Sequence, residues 1–190
     1  FYMKNIKNTT FIKLNCYKSL WLAAFAILLI DQLTKILAIN FLHFDTEYQL
    51  NKYVSFHTIY NESSMMLLYD FVWHFDWSLT QFRIFYVSCC FVLSYIIFWL
   101  MNQPSMKEDS WKAELAKTGL MIIFGGLLGN AFDRIFRAEG VIDFFRLNFI
   151  QNIVPIVNFA DIMIYLGEAC VIAAWLVIFY ELMMKKLKKY

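Results

Sequence analysis

From Ile84 to Met101 the chain carries no charged residue and is almost wholly apolar. A run of this length is sufficient to cross the hydrocarbon core of a bilayer as a helix. The choice of structure is narrow, because backbone N–H and C=O groups in lipid must satisfy one another within the segment. Three further stretches read the same way. The expected spans are 19–41, 82–101, 113–132 and 161–184. The uninterrupted apolar part of the first, Leu20 to Ile30, has the length of a signal-peptide core. No small-residue cleavage pattern follows it, so the span continues past Asp31, Gln32 and Lys35 to residue 41.

Composition agrees with a membrane protein. Hydrophobic residues make up 61% of the chain and charged residues 17%, too few to wet the surface of a soluble domain. At 190 residues, 1–190 is expected to be a single integral membrane domain. The net charge of +2 matters less than its placement. Lys4, Lys7, Lys13 and Lys18 precede the first span, and Lys185, Lys186, Lys188 and Lys189 follow the last. Under the positive-inside rule both ends are cytoplasmic, which requires an even number of spans and puts 42–81 and 133–160 outside. Beside apolar runs these lysines read as topology signals, and no nucleic-acid partner is expected. Met3 is a plausible start, with Phe1 and Tyr2 ahead of it. Cys89, Cys90 and Cys170 fall inside spans and Cys16 before the first, a pattern that is neither a disulfide framework nor a zinc spacing.

Between the first two spans, YQLNKYVSFHTIYN has the β-branched and aromatic content of one or two strands, so a small extracytoplasmic sheet is expected there. Trp73 and Trp77 read as interfacial anchors, and His43, His57 and His74 match no metal motif. Residues 102–112 read as a short cytoplasmic loop. In the third span, Gly125-x-x-x-Gly129 is spaced to let another helix approach closely.

The stretch from Gly125 to Asp161 holds the chemistry. Its acids are Asp133, Asp143 and Asp161, accompanied by Asn130, Asn158 and Arg134 at the membrane boundary. Polar groups there are costly to desolvate and are usually functional. Asn130, Asp133 and Arg134 stand at i, i+3 and i+4, sharing a helix face. Asp161 is expected to begin the fourth helix, where free N–H groups favour negative charge, and Asp143 to lie in the connecting loop. If these two carboxylates meet, they cannot both ionise. The charged one then takes a proton from water while the protonated one polarises a peptide carbonyl. Asp133 is expected instead to orient the adjoining Arg134. Asp31 and Lys35 share a face four residues apart, either neutralising each other near the interface or serving the site directly.

These motifs carry a resemblance. Asp31-Gln32-x-Thr34-Lys35, Gly129-Asn130-x-x-Asp133-Arg134, Gly140-Val141-Ile142-Asp143-Phe144 and Asn158-Phe159-Ala160-Asp161 occur in the order and spacing of the bacterial lipoprotein signal peptidases. The chain resembles that signal peptidase II family over nearly its whole length. The resemblance implies a four-helix membrane fold with a β-rich segment between helices 1 and 2. It implies an aspartyl endopeptidase of the bacterial inner membrane that cleaves prolipoproteins before a diacylglyceryl-modified cysteine. Asp143 and Asp161 match the catalytic dyad. Asn61, Asn130, Arg134 and Asn158 match substrate-site positions, while Asp31, Lys35, Asp133 and Gly129 support them. No metal or cofactor is implied; the partners are lipidated prolipoproteins, membrane lipid and a globomycin-like cyclic peptide inhibitor.

One departure stands out. Where members of the family carry Asn-x-Gly-Ala-Ala-Phe, this chain has Asn61-Glu62-Ser63-Ser64-Met65-Met66. Methionines there change the floor of a site that must admit a lipidated cysteine, and motivate a second reading, a narrowly specialised or non-catalytic binder of lipidated segments. Glu168, two turns into the fourth span beyond Asp161, is expected to be protonated and hydrogen-bonded to a neighbouring helix. A proton-linked transporter built on Asp31, Lys35, Asp161 and Glu168 is disfavoured by four short spans without an internal repeat.

Overall fold

The computed structural model describes residues 2–44, 46–61, 78–149 and 156–188. Helix α1 runs Tyr2–Phe41, followed by strands β1 (Glu47–Gln49) and β2 (Val54–Asn61). Helix α2 spans Leu79–Met101, and a short 3-10 turn, Pro104–Lys107, leads to α3 (Trp111–Phe136). Strand β3 (Val141–Leu147) and helix α4 (Phe159–Leu187) complete the described chain. Among the described residues, four helical stretches are long and apolar enough to cross a membrane: Lys18–Phe41, Thr80–Met101, Trp111–Phe136 and Phe159–Leu187.

Helix α3 is the hub. Its apolar window is 61% buried, against 22% or less for the other three, so the others pack around it and turn most of their side chains outward. In water such exposed faces would be intolerable; in lipid they are the solvent-facing surface. Leu20, Ala24, Tyr86, Ile97, Leu120 and Met121 belong to the shared core. The close packing depends on absent side chains. A Cβ on Gly125 would lie 2.8 Å from the Ala24 carbonyl oxygen, and one on Gly129 would lie 2.6 Å from Asp31 Oδ2. The glycine pair therefore admits α1, as its spacing predicts.

The helix ends are set by local chemistry. Ser78 caps α2 in a capping box with Gln81, Ser110 caps α3, and Asn158 caps α4 in a second capping box with Asp161. These contacts satisfy backbone N–H groups that the first helical turn leaves unpaired.

The small sheet is present between helices 1 and 2, with one addition. Its order is β1-β2-β3, antiparallel throughout, and its third strand comes from the connection between α3 and α4. The sequence of 141–147 gives little warning, since Val141, Ile142 and Asp143 are all buried and no polar-apolar alternation marks a strand. Asp143 thus sits on a strand, where a loop was expected. Gly140, with φ 107°, makes the turn into β3 in a conformation that favours glycine. Trp73, Trp77, His74 and the Glu62–Met66 stretch lie outside the described residues.

Candidate active site

Three backbone devices bring the polar residues together. Between Phe56 and Ile59 the β2–β3 register shifts, with Phe56 opposite Phe145 and Ile59 opposite Asp143. Such an extra residue bends a strand and re-aims its side chains. Beyond it Asn61 pairs with Val141, diagonal to Asp143. Val157 forms a second antiparallel bridge to Phe145, which sets the adjoining Asn158 beside Asp143. The α4 capping box then ties Asp161 to Asn158.

The two carboxylates are held by three asparagine amides. Asn61 Nδ2 donates to Asp143 Oδ2 and Asn158 Nδ2 to Asp143 Oδ1, each at 2.6 Å. Asn130 Nδ2 donates to Asp161 Oδ1 at 2.7 Å, and the Asn158 backbone N–H to Asp161 Oδ2 at 3.1 Å. Asn158 also donates to Asn130 Oδ1 at 3.0 Å and accepts from the Asp161 N–H at 2.9 Å. One fully buried asparagine thereby links both carboxylates and fixes its own amide orientation. Asp143 is 1% exposed, whereas Asp161 is only partly covered. Burial, reinforced by the neighbouring Asp161 charge, pushes the Asp143 carboxyl up to about 7, against the opposing pull of the Asn61 and Asn158 amides.

Behind this pair lies a second polar layer. Lys35 Nζ donates to Asp31 Oδ2 at 2.7 Å and to Asn130 Oδ1 at 3.2 Å, and it lies 2.8 Å from Asp133 Oδ2 as an ion pair. Lys35, Asp31 and Asp133 have no exposed side-chain surface. Asp31 Oδ1 also accepts from the Ala160 N–H at 2.9 Å, joining α1 to the first turn of α4. Asp31 and Lys35 are therefore more than a self-neutralising pair at an interface. They brace Asn130, and through it Asp161.

Two expectations need correction here. Asp133 forms its ion pairs with Lys35 and with Arg137, whose Nε lies 2.9 Å away, rather than orienting its neighbour. Consecutive helical residues point about 100° apart, so adjacency in sequence was a poor guide. Arg134 instead stacks its buried guanidinium over Tyr86, 4.2 Å from the ring centroid, and over Phe82 at 5.3 Å. Glu168 lies exposed on the outer face of α4, with no hydrogen-bond partner among the described residues. Arg137 and Gln32 were not anticipated as site residues. The hints were the i, i+4 spacing of Asp133 and Arg137 and the place of Gln32 within the Asp31-Gln32-x-Thr34-Lys35 motif.

The arrangement also has counterparts. The family model for Signal peptidase (SPase) II matches residues 23–177. The chain belongs to the signal peptidase II family. Members of this family are proteases that process lipoproteins. The lipoprotein signal peptidase of Borreliella afzelii is 28% identical over 160 residues, covering 82% of this chain and 88% of the relative. That of Anoxybacillus flavithermus is 29% identical over 152 residues, covering 78% and 80%. A bacterial membrane enzyme solved by the in meso method at 2.3 Å resolution shares the fold. Its TM-score is 0.67 at 19% identity, covering 84% of this chain and 88% of that one. As a signal peptidase II with four membrane-spanning helices, the protein is a multi-pass bacterial membrane protein. Within the region matched to the family lie Asp31, Lys35, Asn61, Gly129, Asn130, Asp133, Arg134, Asp143, Asn158 and Asp161.

Proposed function

We propose that this signal peptidase II is an aspartyl endopeptidase that cleaves prolipoproteins immediately before a diacylglyceryl-modified cysteine, with Asp143 and Asp161 as its catalytic pair. The observation that carries the reading is the linkage of two carboxylates through Asn158, with Asp143 held near 7 by burial and by Asp161. The pair then retains one proton in the neutral range, and that proton belongs to both carboxylates together.

In that state the ionised carboxylate removes a proton from a water molecule as its oxygen attacks the scissile carbonyl carbon. The protonated carboxyl gives its proton to the carbonyl oxygen, so the tetrahedral intermediate forms without a free alkoxide. Breakdown reverses the flow: the hydroxyl proton returns to a carboxylate and the departing amide nitrogen is protonated. The amides of Asn61, Asn130 and Asn158 aim the carboxylates, which lowers the reorganisation needed at each step. Arg134, backed by Tyr86 and Phe82, supplies a fixed positive charge for substrate carbonyl groups.

Lysines flanking the first and last spans favour cytoplasmic termini, which puts the carboxylate pair at the outer edge of the inner membrane. The substrate's lipidated cysteine would arrive there from the bilayer, and a globomycin-like cyclic peptide would compete for the same place. The test is incubation of the purified protein, in lipid, with a prolipoprotein carrying or lacking the diacylglyceryl group. Gel shift and product mass should report cleavage before the modified cysteine alone. Equal cleavage of the unmodified chain would remove the lipid from the reading. Binding without cleavage would favour a non-catalytic binder of lipidated segments.

A further inference from the structure

Charge counting in the layer behind the carboxylate pair isolates one residue. Asp31 and Asp133 are both fully buried, and Lys35 lies between them. One cation facing two buried carboxylates leaves a negative charge that a dry site tolerates poorly. The second cation is Arg137, whose Nε lies 2.9 Å from Asp133 Oδ1 and whose Nη2 donates to Gln32 Oε1 at 3.1 Å. Because Gln32 Oε1 accepts from Arg137, Gln32 Nε2 must face inward. It lies 3.0 Å from Asp133 Oδ1, 3.1 Å from Asp31 Oδ2 and 3.2 Å from the Gly129 carbonyl oxygen. A planar guanidinium suits this double task, since its donors form a rigid fork.

Lys35 does for Asn130 what Arg137 does for Gln32. It donates to Asn130 Oδ1, so that Asn130 Nδ2 faces Asp161. Asp133 is shared between two cations, Lys35 facing its Oδ2 at 2.8 Å and Arg137 its Oδ1 at 2.9 Å. We propose that Arg137 is a positioning residue for the carboxylate pair: by neutralising Asp133 and locking the Gln32 amide, it keeps Lys35 on Asn130 and Asn130 on Asp161. The inference rests on the proposed peptidase chemistry and adds to it the residue that caps the C-terminal end of α3, linked to Asp161 through Asp133, Lys35 and Asn130.

Among the described residues, the charged groups facing this network are Asp31 and Lys35 from α1, Asp133 and Arg134 from α3, Asp143 from β3 and Asp161 from α4. Loss of Arg137 adds one uncompensated negative charge among them, which makes the proton on the pair harder to remove. Arg137 is suited to substitution because its side chain is 21% exposed at the helix end.

The experiment measures kcat, KM and the pH profile of lipidated-prolipoprotein cleavage for four proteins: the parent, Arg137→Gln, Arg137→Lys and the double variant Asp133→Asn/Arg137→Gln. Rates are normalised to folded protein by size-exclusion chromatography. Arg137→Gln is expected to lower kcat roughly tenfold with KM little changed, as for a disturbed positioning network. Its alkaline limb should move up by about half a pH unit. Arg137→Lys retains the charge and should keep the parent's limb, yet lose rate because it lacks the fork. The double variant restores charge balance and should return the limb to the parent's position. If Arg137→Gln keeps the parent's kcat and limb, or loses activity only in proportion to folded protein with the limb unmoved, the positioning role is overturned while the peptidase reading stands. A folded parent that cleaves none of several lipidated substrates overturns the peptidase reading, and the positioning role with it.

Discussion

Helices α3 and α4 carry ionic and polar contacts at both ends, and the two ends are built differently. At one end Lys112 pairs with Glu181 and Lys117 with Glu114, and the acids remain 42–45% exposed. At the other, Lys35, Asp31 and Asp133 are 0% exposed and their partners are interlocked with the asparagine amides. Exposed pairs gain little net energy, because water screens them and two flexible side chains must be held still. A buried cluster costs much to assemble and is strongly destabilised when one partner is removed. The difference indicates where the molecule tolerates an expensive arrangement. It does so next to the two carboxylates, where fixed geometry matters, whereas at the opposite end the acid of each pair stays open to solvent.

The largest consequence of that comparison is for Lys35. Lys35→Met leaves buried Asp31 without a cation and Asp133 with Arg137 alone, and should cost roughly 3–5 kcal/mol. Thermal unfolding in detergent reads this directly, and a loss no greater than that of an exposed lysine would erase the contrast between the two ends. Gly129→Ala comes next. Its Cβ would stand 2.6 Å from Asp31 Oδ2. Such overpacking should cost about 1–3 kcal/mol, with α1 displaced from α3 as measured by a cross-linking distance between them.

Asn61→Ala sharpens the comparison at the site itself. Activity should fall above about pH 7, where Asp143 releases its proton and the pair becomes doubly charged. The Asn61 amide favours the ionised form, so its removal raises the Asp143 pKa further. The alkaline limb of kcat/KM should move to higher pH, with a rate loss of roughly tenfold. A limb that moves to lower pH would contradict this account of the site. The smallest effect is expected at the opposite end, where Lys112→Met should change stability by less than about 1 kcal/mol and leave the pH profile untouched.

Much of this was legible in the sequence, for identifiable reasons. The spans are visible because lipid-facing helices must be apolar on nearly every side. The start of the fourth helix was read at Asp161, where an acid suits the free N–H groups; it begins at Phe159, with Asn158 as the cap and Asp161 completing the capping box. Asp143 was legible as a site residue through its motif, but its strand was hidden, because β3 is buried at its start and pairs with a strand more than eighty residues earlier. The bracing layer was the least legible part. Gln32 meets Asp133 across a separation of 101 residues and Arg137 across 105, and no local periodicity encodes such a meeting. Glu168 shows the opposite failure. An acid within an apolar span suggests a partner, yet here the helix turns it outward.

The central claim is that Asp143 and Asp161 together carry the chemistry. The most direct test compares cleavage of a diacylglyceryl-modified prolipoprotein by the parent, Asp143→Asn and Asp161→Asn in the same lipid, with substrate binding measured alongside. Loss of a carboxylate from a catalytic pair should reduce kcat by at least about a thousandfold while binding persists. Either variant cleaving at near the parent's rate would contradict the claim.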